Sequence, residues 1–510
     1  MNISKELNYL YILFISIIVV MSFFYLEYNL GFSQWDEGYL WYGSQRVAIG
    51  EVPFLDFMSY DPGRYYWSSG IMNLFEDYGI LNLRFSIAIF QIIGVYVGLL
   101  LISNNKINIE NYLYLFIVAI IFILWMVPRH KIFDISISIF TISLITYLIK
   151  NPTKFAYFLA GFGIGLIAFF GRNHGVYGLI STFLAIAWIR LNINDNGSIF
   201  LSLRYWFIGL LLGYSPMILM IILVPNFDNA FIESILFLID SKTTNLPLPV
   251  PWPWLVDSSA SFFYMLSALF TGIFFVGILL YNFFGIIYLI IKKINNITLA
   301  NPLLVATFFV ALPYSHYAYS RADLGHLAHA IFPLIIGFIF LFRFSLRIKW
   351  ILIIGLLIIS FLTTQYLHPF SLLLNKQELK KINILDDEIY VNSNIEIEIE
   401  LLKELTRKYG NNFLAVPFWP GSQAIFKTKS PIWEIYALFP RTKSFQDKEI
   451  NDIKLREPNF IIVNNYALDG RNELKYENTH SLIYSFILEN YNLIQEKESI
   501  KVFVKKENIR

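Results

Sequence analysis

Long apolar stretches recur through the first 370 residues, and they restrict this chain to one kind of architecture. About 17 to 25 apolar residues cross the hydrocarbon layer as a helix. Inside lipid the backbone must satisfy its own hydrogen bonds, which leaves helices or closed barrels. About eleven stretches meet or approach that length: 7–26, 85–102, 112–127, 132–149, 155–170, 176–189, 206–224, 262–291, 303–314, 327–342 and 350–366. The stretch 262–291 is long enough to tilt. Composition agrees: 56% of residues are hydrophobic and 15% charged, against roughly half and a quarter in soluble domains. The first stretch is too long and aromatic for a signal-peptide core and has no small-x-small site after it, so it reads as an uncleaved signal anchor.

Cations orient such a chain. With the N-terminus inside, the inner connections hold Lys106, Lys150, Lys154, Arg190, Arg204, Lys292, Lys293, Arg343, Arg347 and Lys349. An odd number of spans puts the C-terminus outside. Arg46, Arg64, Arg129, Lys131, Arg172 and Arg321 fall in outer turns, mostly beside acids, histidines or aromatics. The net charge of +2, without a long basic run, gives nucleic acid no footprint. Cysteine is absent, which removes disulfides, zinc–thiolate sites and thiol nucleophiles.

The expected organisation is a mainly α polytopic membrane domain over 1–370 and an extracytoplasmic α/β domain over 371–510. Two long outer loops, 27–82 and 225–260, interrupt the first. The loop 27–82 is aromatic and partly amphipathic, which suits helices lying on the membrane surface. The prolines of 246–254 forbid a regular helix there, and Trp252 and Trp254 suit an interfacial belt. Beyond 376 the segments 413–417, 460–463 and 500–504 read as strands, and 395–409 and 481–491 as helices. There is no P-loop and no dinucleotide-binding glycine pattern.

Polar residues gather at the outer ends of the apolar stretches. Trp35-Asp36-Glu37-Gly38 follows the first stretch, and the same loop carries Asp61-Pro62-Gly63-Arg64-Tyr65-Tyr66-Trp67. Later outer turns supply Arg129-His130-Lys131 with Asp134, then Arg172-Asn173-His174, then Arg321-Ala322-Asp323 with His326. Carboxylates at a membrane boundary are costly to keep and are commonly functional. One reaction fits these parts: transfer of a sugar from a polyprenyl-phosphate carrier to an acceptor. The acceptor hydroxyl needs a carboxylate base. The departing phosphate needs positive charge rather than a strong acid, and arginine's planar fork suits its oxygens.

The chain resembles the GT-C superfamily of integral-membrane glycosyltransferases, closest to the bacterial relatives of protein O-mannosyltransferases and of the lipid A aminoarabinose transferase. The resemblance rests on the Asp-Glu start of the first outer loop, the many spans, the outer Arg/His turns and the C-terminal outer domain. It implies that Asp36 is the base, with Glu37 its neighbour, and that Asp134 is a second acid. It also implies that Arg172, His174, Arg321 and His326 hold the lipid phosphate. Arg64, followed by Tyr65, Tyr66 and Trp67, could contact the carrier phosphate or the sugar ring, or serve as an interfacial anchor. The eukaryotic O-mannosyltransferases carry an inserted β-trefoil that this chain lacks, so protein, lipid and glycan acceptors all stay open. The expected setting is a bacterial plasma membrane, with the reaction on the periplasmic or extracellular side.

Alternatives stand beside these roles. Asp36 could cap the helix that begins near it, and Glu37 could merely favour a helix N-terminus. Asp134 could cap its own span or pair with Arg129 or Lys131. A divalent cation bridging Asp36 and Asp134 would suit hard carboxylate oxygens, although the transfer does not require one. Arg172 could snorkel to headgroups. Asp323, His326 and His329 share a helical face by spacing, and Arg321 could pair with Asp323. The rival function is a transporter or flippase of lipid-linked sugars; it predicts polar residues through the spans and internal symmetry, and no internal repeat is seen.

Overall fold

The computed structural model describes residues 3–103, 107–192, 198–241, 245–294, 300–343 and 348–506. Lys106 and Arg347, two of the expected orienting cations, lie outside these residues. The chain forms two compact units. The first comprises 1–28, 87–224 and 243–371; the second comprises 29–86, 225–242 and 372–510.

The first unit is helical. Among the described residues, five helices of the chain are long and apolar enough to cross a membrane, or up to seven if each bent pair is one span. Three of the shorter expected stretches fall on the apolar helices Ile109–Trp125, Lys154–Phe170 and Lys349–Thr364. The stretch 303–314 lies within Pro302–Ser320. The chain is a multi-pass membrane protein. Local chemistry sets the helix starts: Asn108, Thr153, Asn301 and Asp323 each accept a backbone N–H of the first turn through their side chains, the usual work of an N-cap.

Two expected spans are broken. Ile199–Gly213 and Ser215–Leu223 meet at 55°, and Leu324–Ala330 and Phe332–Phe342 meet at 56°. Pro216 and Pro333 each lie in the first turn of the second helix of their pair. Proline has no N–H to donate and crowds the preceding turn, so the helix stops and restarts at a new angle. Helices Lys154–Phe170 and Ile199–Gly213 pack through four glycines. A Cβ added to Gly161 or Gly165 would fall on the carbonyls of Trp206 or Leu210. One added to Gly209 or Gly213 would fall on those of Phe158 or Phe162. Both helices thus carry a small-xxx-small stripe, which lets backbones approach where lipid offers no hydrophobic drive.

The second unit holds the α/β fold. Strands β1 (Lys380–Ile384) and β2 (Asp387–Val391) form a hairpin. Strands β3 (Phe413–Val416), β4 (Phe460–Asn464), β5 (Tyr491–Lys497) and β6 (Ile500–Lys505) form a sheet of order β3-β4-β6-β5, parallel only between β3 and β4. Every residue of β3 and β4 is buried, as expected for strands covered on both faces. Ile453, Ile483 and Ile487 pack with Val416, Val463 and Phe503 in the core. The expected strands and helices all form. The helices Phe227–Ser241 and Lys443–Arg456 and strand β5 add to them.

Residues 29–86 belong to this same unit. Leu30 bridges to Tyr390, Gly31 N donates to the Tyr390 carbonyl at 2.8 Å, and Gly421 N donates to the Gln34 carbonyl at 2.9 Å. Helix Asp36–Ala48 packs on the short helix Pro420–Ile425. Gly38 and Gly421 meet there so closely that a Cβ on Gly38 would strike the Gly421 backbone.

Candidate active site

The sequence candidates divide between the units. In the second, Asp36 and Glu37 open helix Asp36–Ala48 and meet different fates. Asp36 does not cap the helix: Trp35 occupies that position, and the Ser33 hydroxyl accepts the Asp36 backbone N–H at 3.3 Å. Its Oδ1 instead accepts the Tyr436 hydroxyl at 2.8 Å. Burial, then the charge of Asp36, pushes the Tyr436 hydroxyl well above its ordinary pKa, so it stays protonated and donates. Asp36 is half-buried and Glu37 is buried. Arg84 takes Glu37 through two bonds, Nε to Oε1 and Nη2 to Oε2, each 2.8 Å. This paired geometry is the strong form of an arginine–carboxylate contact.

Aromatic rings surround Asp36. Tyr39 stacks on Tyr436 with centroids 5.0 Å apart and meets Tyr60 edge-on at 4.8 Å. Trp35 packs on Phe418 at 5.1 Å and on Tyr466 at 5.9 Å. Arg64 is buried with its guanidinium 4.7 Å from the Tyr60 ring centroid.

In the first unit, four helix ends bring acids, histidines and tyrosines together. Asp134, in the first turn of Ile132–Lys150, lies 3.1 Å through Oδ1 from His174 Nε2. His174, in the first turn of Arg172–Asn192, meets the Tyr314 hydroxyl through Nδ1 at 2.9 Å. A Tyr314–His174–Asp134 chain results, in which the carboxylate favours the tautomer protonated on Nε2. His329 is fully buried, with its Nε2 3.9 Å from Asp134 Oδ2 and, among the described residues, no hydrogen-bond partner on either ring nitrogen. Tyr317 stacks against His174 at 5.6 Å and His326 at 5.5 Å, and packs on His329 at 4.7 Å.

Asp323 organises the neighbouring turn. Its Oδ1 accepts from the His326 backbone N–H and meets His326 Nδ1, each at 2.8 Å, while Oδ2 accepts from Arg321 Nε at 3.0 Å. Arg321 Nη1 also donates to the Leu246 carbonyl at 2.9 Å. Arg172 is half-buried at the first position of its helix. Besides its contact with His174, Asp134 sits past the N-cap of its helix, which Lys131 occupies, and Arg129 donates to the Glu27 carbonyl. Among the described residues no cluster of three or more His, Asp or Glu side chains is arranged to hold a metal ion.

Several residues of these clusters had no local signal. Tyr436 lies 400 residues beyond Asp36 in an unremarkable aromatic segment. Arg84 is a lone cation at the edge of an apolar stretch, and Tyr314 and Tyr317 read as ordinary span residues. His329 was indicated by its spacing from Asp323 and His326.

No family model and no curated protein matches the sequence. Solved structures do. ArnT from Cupriavidus metallidurans in the apo state superposes with a TM-score of 0.56 at 10% identity, over 100% of this chain and 99% of that one. The same protein bound to undecaprenyl phosphate gives 0.49 at 11% identity, over 98% and 97%. The Archaeoglobus fulgidus oligosaccharyltransferase tethered to an acceptor peptide gives 0.46 at 11% identity, over 94% of this chain and 72% of that one. Along its full length, the chain shares the fold of ArnT.

Proposed function

We propose that this protein transfers a sugar from a polyprenyl-phosphate carrier to an acceptor, at the outer face of a bacterial plasma membrane and with inversion at the anomeric carbon. The observation that carries the reading is the contrast at the Asp-Glu pair. Arg84 occupies Glu37 in a buried ion pair, whereas Asp36 is half-buried and oriented by a tyrosine hydroxyl. A general base must be within reach of the proton it takes; Asp36, half-buried, is more accessible to an acceptor than Glu37, which is buried with both of its oxygens engaged by Arg84. Asp36 takes the acceptor proton as the hydroxyl attacks the anomeric carbon; the C–O bond to phosphate breaks and the carrier leaves as its phosphate anion. Arg321, held at a fixed angle by Asp323, supplies a planar fork for that phosphate, and Arg172, His174 and His326 add donors. Asp134 serves as the second acid by fixing His174. Arg64 is assigned to the carrier phosphate through its place in the first loop. The inverting outcome follows from a single displacement, with no second carboxylate acting as nucleophile.

The test uses purified wild type and Asp36→Asn in detergent, each given polyprenyl-phosphate sugars and extracted acceptors. Released polyprenyl phosphate is followed by mass spectrometry. Release by the wild type and none by the variant is expected. Equal release by both removes Asp36 from the chemistry.

A further inference from the structure

The segment that carries Tyr436 is pinned at successive residues within the second unit. Ser430 N donates to the Tyr42 hydroxyl at 3.1 Å. Trp433 Nε1 donates to the Phe54 carbonyl at 2.9 Å, and Met58 N returns a bond to the Trp433 carbonyl at 2.9 Å. Glu434, buried, receives Arg441 Nε at 2.5 Å on one oxygen and faces His480 Nε2 at 2.8 Å on the other. Ala437 N donates to the Pro417 carbonyl at 3.0 Å. Between these anchors the Tyr436 ring lies on Tyr39, one turn along the helix that Asp36 begins. The ring is therefore held by its stack on the Asp36 helix and by Phe418, 5.8 Å away at a 58° tilt. A side chain held in this way presents its hydroxyl at one place, and that place is Asp36 Oδ1.

We propose that Tyr436 is a positioning residue for the reaction: its hydroxyl locks the rotation of the Asp36 carboxylate, so that the C-terminal segment completes a base whose residue lies near the N-terminus. The inference rests on the reading of Asp36 as the base. An aspartate carboxylate turns about two side-chain bonds, and a displacement of about 1 Å at a reacting group can cost roughly a hundredfold in rate. One short bond from a ring that is itself immobile removes that freedom before the acceptor arrives, as precise sites require. The effect falls on the chemical step and not on the donor, which other residues hold.

Tyr436→Phe keeps the ring and its stacking and removes only the hydroxyl. Its kcat should fall about ten- to a hundredfold, with the KM for the polyprenyl-phosphate sugar unchanged and thermal melting near wild type. Asp36→Glu moves the carboxylate by one methylene and away from the tyrosine, so adding Tyr436→Phe to Asp36→Glu should cost nothing further; residues that act as one unit are not additive. Phe418→Leu, which leaves the Tyr436 hydroxyl in place and loosens the ring that carries it, is read by the same constants should Tyr436→Phe not fold, and is expected to lower kcat with donor KM unchanged. Wild-type kcat in Tyr436→Phe overturns the inference and leaves the Asp36 reading intact. So does a loss that rises in donor KM alone, or one that multiplies with that of Asp36→Glu. Full turnover by Asp36→Asn removes the Asp36 reading itself, and the positioning role with it.

Discussion

Arg84 grips Glu37 through two 2.8 Å hydrogen bonds, with the Arg84 side chain 1% and the Glu37 side chain 7% exposed. The same guanidinium donates to the Gly31 carbonyl at 2.6 Å, so it ties the first turn of helix Asp36–Ala48 to the chain that enters it. Breaking a buried pair by removing one partner strands the other charge and costs roughly 3 to 5 kcal/mol. Arg84→Ala should therefore lower the melting temperature strongly and reduce activity through loss of folded protein. Asp36→Asn should melt close to wild type while losing turnover. Thermal unfolding in detergent separates the two; a normal melting curve for Arg84→Ala would show that the pair does not hold this turn.

Arg321 and His326 share one organiser, Asp323, which also caps the helix Leu324–Ala330. If the arginine holds the carrier phosphate, Arg321→Ala should raise the donor KM about tenfold or more, since hydrogen bonds to charged groups contribute about 1.5 to 3 kcal/mol. Asp323→Asn keeps an oxygen for the cap and loses the charge that orients the guanidinium. Its donor KM should rise by a smaller factor, with kcat little changed. Steady-state kinetics against donor concentration decides this; an unchanged KM in Arg321→Ala takes the arginine out of donor binding.

The close pairing of Gly161 and Gly165 with Gly209 and Gly213 makes its own demand. Each glycine faces a carbonyl of the opposite helix with no room for a Cβ. Gly209→Ala should push helices Lys154–Phe170 and Ile199–Gly213 apart and destabilise the first unit by about 1 to 3 kcal/mol, the cost of overpacking. Gly355 has nothing within reach of an added Cβ, so Gly355→Ala should be tolerated. Parallel melting curves for the two variants would remove the glycine contact as the cause.

What the sequence makes legible here is what local chemistry decides. The caps at Asn108, Thr153 and Asp323 and the continuous apolar runs of β3 and β4 can be read from a few neighbouring residues. Helix Lys443–Arg456 hides because its apolar residues are few among lysines and acids, and β5 hides because most of it is exposed and polar. The breaks at Pro216 and Pro333 are not in the sequence reading, because hydropathy runs on unbroken through 206–224 and 327–342. Asp36 was found from its place at a membrane edge, but Tyr436 could not be: the contact is made by tertiary packing, and nothing near Tyr436 in sequence marks it. The same holds for residues 29–86, whose neighbours in the chain are apolar spans and whose partners in space are β2 and helix Pro420–Ile425.

Below the segment that carries Tyr436 lies a buried acid, Glu449. Its Oε2 receives the Glu434 backbone N–H at 3.4 Å, and among the described residues its Oε1 has no hydrogen-bond partner. Burial, and then the neighbouring Glu434 charge, push the Glu449 carboxyl up to about 8 from an ordinary 4.5. A folded state that binds a proton more tightly than the unfolded one is favoured while that proton is present. Its contribution is whole below pH 4.5 and is lost as pH rises through about 8. The second unit should thus lose stability between pH 5 and pH 8, seen as falling protection factors, with the intrinsic pH dependence of exchange divided out, in helix Lys443–Arg456 and in the segment holding Glu434. Glu449→Gln, neutral at every pH, should flatten this slope and slow exchange at pH 8. An unchanged slope in Glu449→Gln would place the titrating group elsewhere.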